Sequence, residues 1–253
     1  MKKLLLAGIA TAAMAAPTAA FAQDVSYTIG TDVVSEYVFR GQSFGGTSVQ
    51  PYAEASVGNF TAGIWASAGV GAESDVQSDE VDLYAGYSVP LDGDFSLDLG
   101  VTYYHYPQSG ALFETEDGGA GSYEFSAAVG FDTAFSPSLA AYYDVTLEAF
   151  TLEGGIGHSV ELNDDYGLDL GLSAGLVQAD GPGDYEYATA SIAITHAFSE
   201  SVGWYVGGNF SVNSENNTLD FERIVDPASE IAFATADSDT KLWFGTGISV
   251  GFE

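Results

Sequence analysis

Along most of this chain, apolar and polar residues alternate one for one. Phe95, Leu97, Leu99, Val101 and Tyr103 take one parity; Ser96, Asp98, Gly100, Thr102 and Tyr104 take the other. Successive side chains of a strand point to opposite faces, so this segment reads as a strand with one fatty face and one polar or small face. The pattern returns near residues 25–40, 48–58, 60–71, 79–91, 95–107, 121–132, 139–148, 150–162, 166–177, 184–198, 202–213 and 240–252. That makes about twelve segments of roughly ten residues, the length a tilted strand needs to cross a bilayer. The least defined stretch is 139–162, where the pattern runs almost unbroken through Glu148 and Ala149.

The links between segments alternate in length. Gly58-Asn59, Leu91 to Asp94, Thr133 to Ser138, Asn163 to Asp165 and Ser199 to Ser201 are short and rich in turn formers. Longer links lie near 41–47, 72–78, 108–120, 178–183 and 214–239. Outer-membrane barrels have short periplasmic turns and longer outer loops, an alternation that a soluble sandwich has no reason to keep. The expected fold is therefore all-β, a transmembrane antiparallel up-and-down β-barrel, with both termini on the periplasmic side and an even strand count.

Aromatic residues cluster at the segment ends. On the fatty parity, Phe60, Phe95, Phe131, Tyr166, Phe198, Trp204 and Phe252 lie beside the short turns; Tyr37, Phe39, Tyr103, Tyr123 and Tyr143 lie towards the other end. Phe95 and Tyr103 are about 20–25 Å apart along a tilted strand, the spacing of two aromatic girdles. β-propensity accounts for aromatics in strands, but not for their concentration at both ends. In the last segment Leu242, Phe244, Thr246, Ile248, Val250 and Phe252 alternate almost to Glu253. This resembles the C-terminal signal of bacterial outer-membrane proteins.

The first residues read as an export address. Lys2 and Lys3 precede an apolar run from Leu4 to about Ala16, and Ala20-Phe21-Ala22 is a small-x-small cleavage site. The expected division is a cleaved signal peptide over 1–22 and a barrel over 23–253, located in the outer membrane of a Gram-negative bacterium. No later run could cross a bilayer as a helix, yet 46% of the residues are hydrophobic, too many for a disordered chain. There is no cysteine, so neither disulfides nor thiolate chemistry is available.

The chain carries a formal charge of −31, and loss of Lys2 and Lys3 leaves Arg40, Arg223 and Lys241 as the only bases. Nucleic acid is excluded as a partner, because phosphate binding needs Lys and Arg. Cations are attracted and anions repelled. If the fatty parity faces lipid, the other faces the lumen. The expected pore-lining residues are Asp32, Glu36 and Arg40 on the first strand, then Glu54, Glu80, Asp82, Asp98, Glu124, Asp169 and Lys241, with Asp144 and Glu153 on the same parity. Tyr52, Trp65, Tyr84, Tyr104, Tyr205 and Trp243 also point inward, as do Gly63, Gly86, Gly100, Gly155, Gly171, Gly207 and Gly245. So few bases cannot pair so many acids, which then need water, cations or a proton. Arg40 is the inward base expected to be paired, with Glu36 the nearest acid on its face.

No metal or cofactor is expected. Glu73-Ser74-Asp75, Asp79-Glu80 and Asp237-Ser238-Asp239 make acidic loops without the spacing of a calcium loop. His105, His158 and His196 fall on or near the fatty parity. His158 and Ser159 face opposite sides of a strand, and no His-Glu-x-x-His motif occurs. The chain reads as no enzyme; aspartates are numerous enough to keep an aspartate-based barrel protease as an alternative.

Ser35-Glu36-Tyr37-Val38-Phe39-Arg40-Gly41-Gln42-Ser43 resembles the signature of the Gcw_chp family, also called the TorF family of porins. Gln50-Pro51, Asn59 to Ser67, Glu80 to Tyr87 and Leu97 to Pro107 extend the likeness over about the first half of the exported chain. The resemblance implies an outer-membrane barrel with porin activity and carries over no catalytic or ligand residue. The expected function is passive diffusion of small hydrophilic solutes, with cations preferred by an acidic lumen. Its expected partners are outer-membrane lipid and those solutes or cations, with a homo-oligomer left open. The alternative is a closed barrel whose acidic loops bind a partner or divalent cations.

Overall fold

The computed structural model describes residues 25–70, 79–115, 121–179, 184–214 and 240–252. All regular structure among them is strand. The strands are β1 (Val25–Val34), β2 (Tyr37–Phe39), β3 (Gln42–Gly45), β4 (Ser48–Val57), β5 (Phe60–Gly69), β6 (Glu80–Val89) and β7 (Phe95–His105). After these come β8 (Ser122–Phe131), β9 (Ser138–Asp144), β10 (Ala149–Glu161), β11 (Tyr166–Ala179), β12 (Tyr185–Ala197), β13 (Val202–Asn213) and β14 (Thr240–Phe252).

Twelve of these strands close one antiparallel barrel in which each pairs with its sequence neighbour. β1 closes the ring on β14, from Tyr27 opposite Phe252 to Val34 opposite Gly245. Its other edge pairs with β4, because β2 and β3 leave the wall and pair only with each other. Closure leaves the twelve-stranded wall without a free edge, which is what allows strands to stand in lipid with their backbone groups paired.

The alternation decides which way each side chain points. On β11, Leu170 and Leu172 are 41% and 51% exposed on the outside, while Asp169, Gly171 and Ser173 point inward. Phe60, Phe198 and Leu242 are each more than 60% exposed. In water such a surface would drive aggregation; in lipid it is the expected exterior of a spanning barrel. No described helix is long and apolar enough to cross a membrane.

Short turns join the strands at one end. Gly58, at φ 58°, opens the two-residue turn between Val57 and Phe60, a conformation that glycine adopts without a Cβ clash. Outward aromatics surround these turns: Tyr27 stacks on Phe252 at 5.6 Å and Phe60 lies 4.6 Å from Tyr87. At the other end the girdle differs from the expected one. Tyr143 faces outward beside Phe125 and Phe150, which the sequence reading had not singled out. Tyr103 is covered by Phe113 and Tyr123. Tyr37 and Phe39 are not in the girdle at all.

Two boundaries correct the sequence reading. The strand expected over 25–40 ends at Val34, and residues 37–45 form a separate hairpin. The stretch 139–162 divides into β9 and β10 at Val145 to Glu148, where Asp144 Oδ1 accepts bonds from the Thr146 and Leu147 amides at 2.9 and 2.8 Å. That side chain supplies the turn that the hydrophobic pattern conceals. This link is short although it sits at the long-loop end, an exception to the alternation.

Candidate functional site

The inward face divides into two zones. Nearer the short turns, the wall is lined by small residues and hydrogen-bonded acids. Tyr84 donates to Glu54 at 3.1 Å, and Ser88 donates to Asp98 at 2.6 Å. Asp169 is half-buried on the same face. Inward glycines serve the rings beside them: the Tyr84 ring lies over Gly63 and the Tyr52 ring over Gly30, so a Cβ at either glycine would collide with the ring. A ring lying flat over a cross-strand glycine fills the space that its missing side chain leaves, and it pins register.

Nearer the long loops, the β2–β3 hairpin stands inside the barrel. Arg40 and Gly41 form its two-residue turn, at φ 48° and 77°, the doubly left-handed geometry that suits a tight hairpin. Gly41 meets this without strain, whereas Arg40 adopts a conformation that costs a non-glycine residue about 1 kcal/mol or more. Its side chain accounts for the choice. Nη1 and Nη2 of Arg40 donate to the two carboxylate oxygens of Glu124 on β8 at 2.7 and 2.9 Å. Such fork-to-fork pairing is the strongest geometry available to an ion pair. The guanidinium also lies 4.6 Å from the Phe39 ring centroid and 4.4 Å from that of Tyr142 on β9. Burial works against its charge, and the Glu124 carboxylate more than offsets this, so its pKa is held above the ordinary arginine range.

Other contacts fix the hairpin on several walls. Tyr104 donates a 3.0 Å bond to Glu124 and lies 6.4 Å from Phe39. Asn213 on β13 donates to the Gly41 carbonyl at 2.8 Å. Tyr37 packs on Trp65 of β5 at 5.5 Å. Glu80 and Asp82 are buried beside it, and Tyr106 donates to Glu80 at 3.3 Å. Burial, then the charges of Glu80 and Asp82, push the Tyr37 phenol well above its ordinary pKa, so it keeps its proton.

The expected site residues are thus distributed unevenly. Glu54, Asp98 and Asp169 lie on the wall of the turn-side zone. Glu80, Asp82 and Glu124 surround the hairpin. Asp32 lies on β1 against Gly247 of β14. Glu36 stands at the root of the hairpin rather than on a strand, 3.5 Å from Lys241. Arg40 is paired as expected, but with Glu124 instead of Glu36. Sequence proximity favoured the wrong acid because the chain reverses at Arg40 and carries its side chain across the lumen. Tyr106, Tyr142 and Asn213 were not anticipated as parts of this cluster. The available signal was Arg40-Gly41 between Phe39 and Phe44, a two-residue turn inside an aromatic-rich alternating stretch.

The histidines stay outside. His158 bonds the Ala134 carbonyl and lies 5.4 Å from Phe135, and His196 stacks on Tyr166 at 4.3 Å. His105 lies against Tyr103 at 6.1 Å. No three acidic or histidine side chains converge on a metal-binding geometry among the described residues. Asp79 accepts a 2.7 Å bond from Gln108; Glu73 to Asp75, Asp237 to Asp239 and the rest of the 214–239 link beyond Ser214 lie outside the described residues.

Comparison with known proteins fits this architecture. The NanC porin matches at 10% identity and a TM-score of 0.51, over 90% of this chain and 99% of that one. The KdgM porin matches at 12% and 0.52, over 90% and 99%. An outer-membrane channel from Pseudomonas putida F1 matches at 9% and 0.51, over 92% and 97%. At such identities the likeness is one of fold, the transmembrane β-barrel. No curated protein matches the chain. The family model described as "Bacterial protein of unknown function (Gcw_chp)" matches residues 16–232, well past the first half in which the resemblance is legible by motif. The chain therefore belongs to the Gcw_chp family.

Proposed function

We propose that the protein is an outer-membrane porin that passes small hydrophilic solutes by diffusion and prefers cations. One observation carries the reading. The inward face holds Asp32, Glu36, Glu54, Glu80, Asp82, Asp98, Glu124, Asp144, Glu153 and Asp169 against only Arg40 and Lys241 among the described residues. Both bases are already engaged by Glu124 and Glu36, so the remaining acids present a net negative field to anything that enters. Rings of carboxylates favour cations in this way, and low-dielectric walls strengthen the effect. The NanC and KdgM proteins carry the word porin in their names, and this chain shares their barrel. Export by a signal peptide cleaved after Ala22 and residence in the outer membrane belong to the same proposal.

The test is solute entry into liposomes carrying the refolded protein, read alongside fractionation of the native protein. Swelling in small neutral sugars and recovery with the outer membrane support a porin. A folded barrel that admits no solute favours a second reading, a closed barrel, for which the hairpin inside the lumen is the specific observation.

A further inference from the structure

The hairpin does not fill the lumen evenly. Its tip reaches the walls of β8, β9, β12 and β13: Arg40 meets Glu124 and Tyr142, Gly41 accepts from Asn213, and a Cβ on Gly41 would meet the Tyr187 Cβ at 2.7 Å. The walls around the tip carry aromatic rings, the Arg40–Glu124 pair, and Glu153, which accepts from Tyr187 at 2.6 Å. The root differs. Between the hairpin root and the wall of β1, β13, β14 and β4 runs a narrow cleft lined by Asp32, Glu36, Tyr37, Gln50, Tyr205 and Trp243. Glu36 is paired with Lys241 at its rim. Asp32 has no base facing it among the described residues that line the cleft: β13 and β14 present Tyr205 and Trp243, and β4 presents Gln50.

We infer that the β2–β3 hairpin is the constriction of the channel, and that the conducting path passes it on the Asp32 side. The Arg40–Glu124 pair is the latch that holds the hairpin against the far wall. Asp32 is the residue that selects among solutes at the narrowest point, favouring small cations with an apolar or hydrated flank that fits between Tyr205 and Trp243. The latch explains why the turn carries an arginine in a left-handed conformation. A turn chosen for its own stability would place Asn or Gly there.

This inference rests on the porin reading, and one set of recordings separates the two. Wild type, Arg40→Ala, Asp32→Asn, Asp169→Asn and a protein with Tyr37 to Gly45 replaced by a short Gly-Ser linker are refolded and recorded in planar bilayers. Folding of each is checked by heat-modifiable migration. The expected results are about a two-fold or greater rise in unit conductance for Arg40→Ala and for the replaced hairpin, as for any widened narrowest point. Asp32→Asn lowers the cation-to-anion permeability ratio about two- to three-fold, and Asp169→Asn changes it less. If Arg40→Ala fails to fold, the swapped pair Arg40→Glu with Glu124→Arg takes its place, and wild-type conductance is expected. A conducting wild type whose conductance is unchanged by hairpin replacement overturns the constriction and leaves the porin reading standing. A silent wild type beside a conducting hairpin replacement supports the hairpin as the occluding element and overturns the porin reading for the intact chain. Silence in both overturns both.

Discussion

Arg40 adopts φ 48° because its partner lies 84 residues away on another wall. Two effects compete at this position, the strain of the turn and the gain from the pair. Arg40→Gly separates them, since glycine relieves the strain, worth about 1–2 kcal/mol, while removing one member of a buried pair costs about 3–5 kcal/mol. A net loss of roughly 1–4 kcal/mol is expected, read as a lower urea midpoint for unfolding from lipid vesicles. Stabilisation would mean that the turn, not the pair, governs the site. The inward orientation of these residues follows from parity and was legible in the sequence. Partner choice was not, because it depends on barrel closure and on a chain reversal that the alternation runs straight through. Glycines show the same limit. A Cβ on Gly207 would come within 2.6 Å of the Ile192 carbonyl and 2.9 Å of the Ala193 Cβ, whereas one on Gly58 meets nothing. Gly207→Ala is expected to cost about 1–3 kcal/mol through overpacking against backbone, and Gly58→Ala about 1 kcal/mol through its left-handed turn alone.

Strands are where sequence and structure agree most closely, because an apolar outside and a polar inside impose opposite demands on adjacent residues. A slip of one residue would turn every fatty side chain to the wrong face, so the pattern has to be written plainly. Leu172→Arg on the outside of β11, 51% exposed, is expected to cost about 2–4 kcal/mol, as charged substitutions do near the bilayer midplane. Ser173→Arg on the inner face should cost much less, and equal losses would contradict the assignment of faces. Turns were less legible where side chains make them. At the β9–β10 link the pattern shows no break, and Asp144 alone supplies both capping bonds. Asp144→Ala leaves two amides unsatisfied and should destabilise by about 1–2 kcal/mol, measured by the same unfolding assay. The hairpin is the largest element that alternation misread. Tyr37 and Phe39 continue the parity of Val33, so the stretch looked like one strand; the bend at Ser35-Glu36 and the turn at Arg40-Gly41 carried the only warning.

At the scale of the whole molecule, a barrel of twelve strands encloses a lumen whose acids far outnumber its bases. Composition announced the charge, and parity assigned much of it to the inside. What neither could show is that the chain returns a hairpin into that space, where it meets several strands of the wall. The hairpin is also the segment on which the family resemblance is carried, Ser35 to Ser43. On the proposed reading, solute choice depends on the width and lining of the space beside it, which are set by contacts between strands distant in sequence. The central claim is that the acidic lumen conducts and favours cations. The measurement that tests it most directly is the reversal potential of the refolded protein in a planar bilayer under a salt gradient. The account predicts discrete conductance steps and a potential displaced towards that of the cation, moving towards zero when Asp32 and Glu54 are neutralised together. Conductance with a potential at zero or towards the anion, or one unmoved by those substitutions, would contradict it.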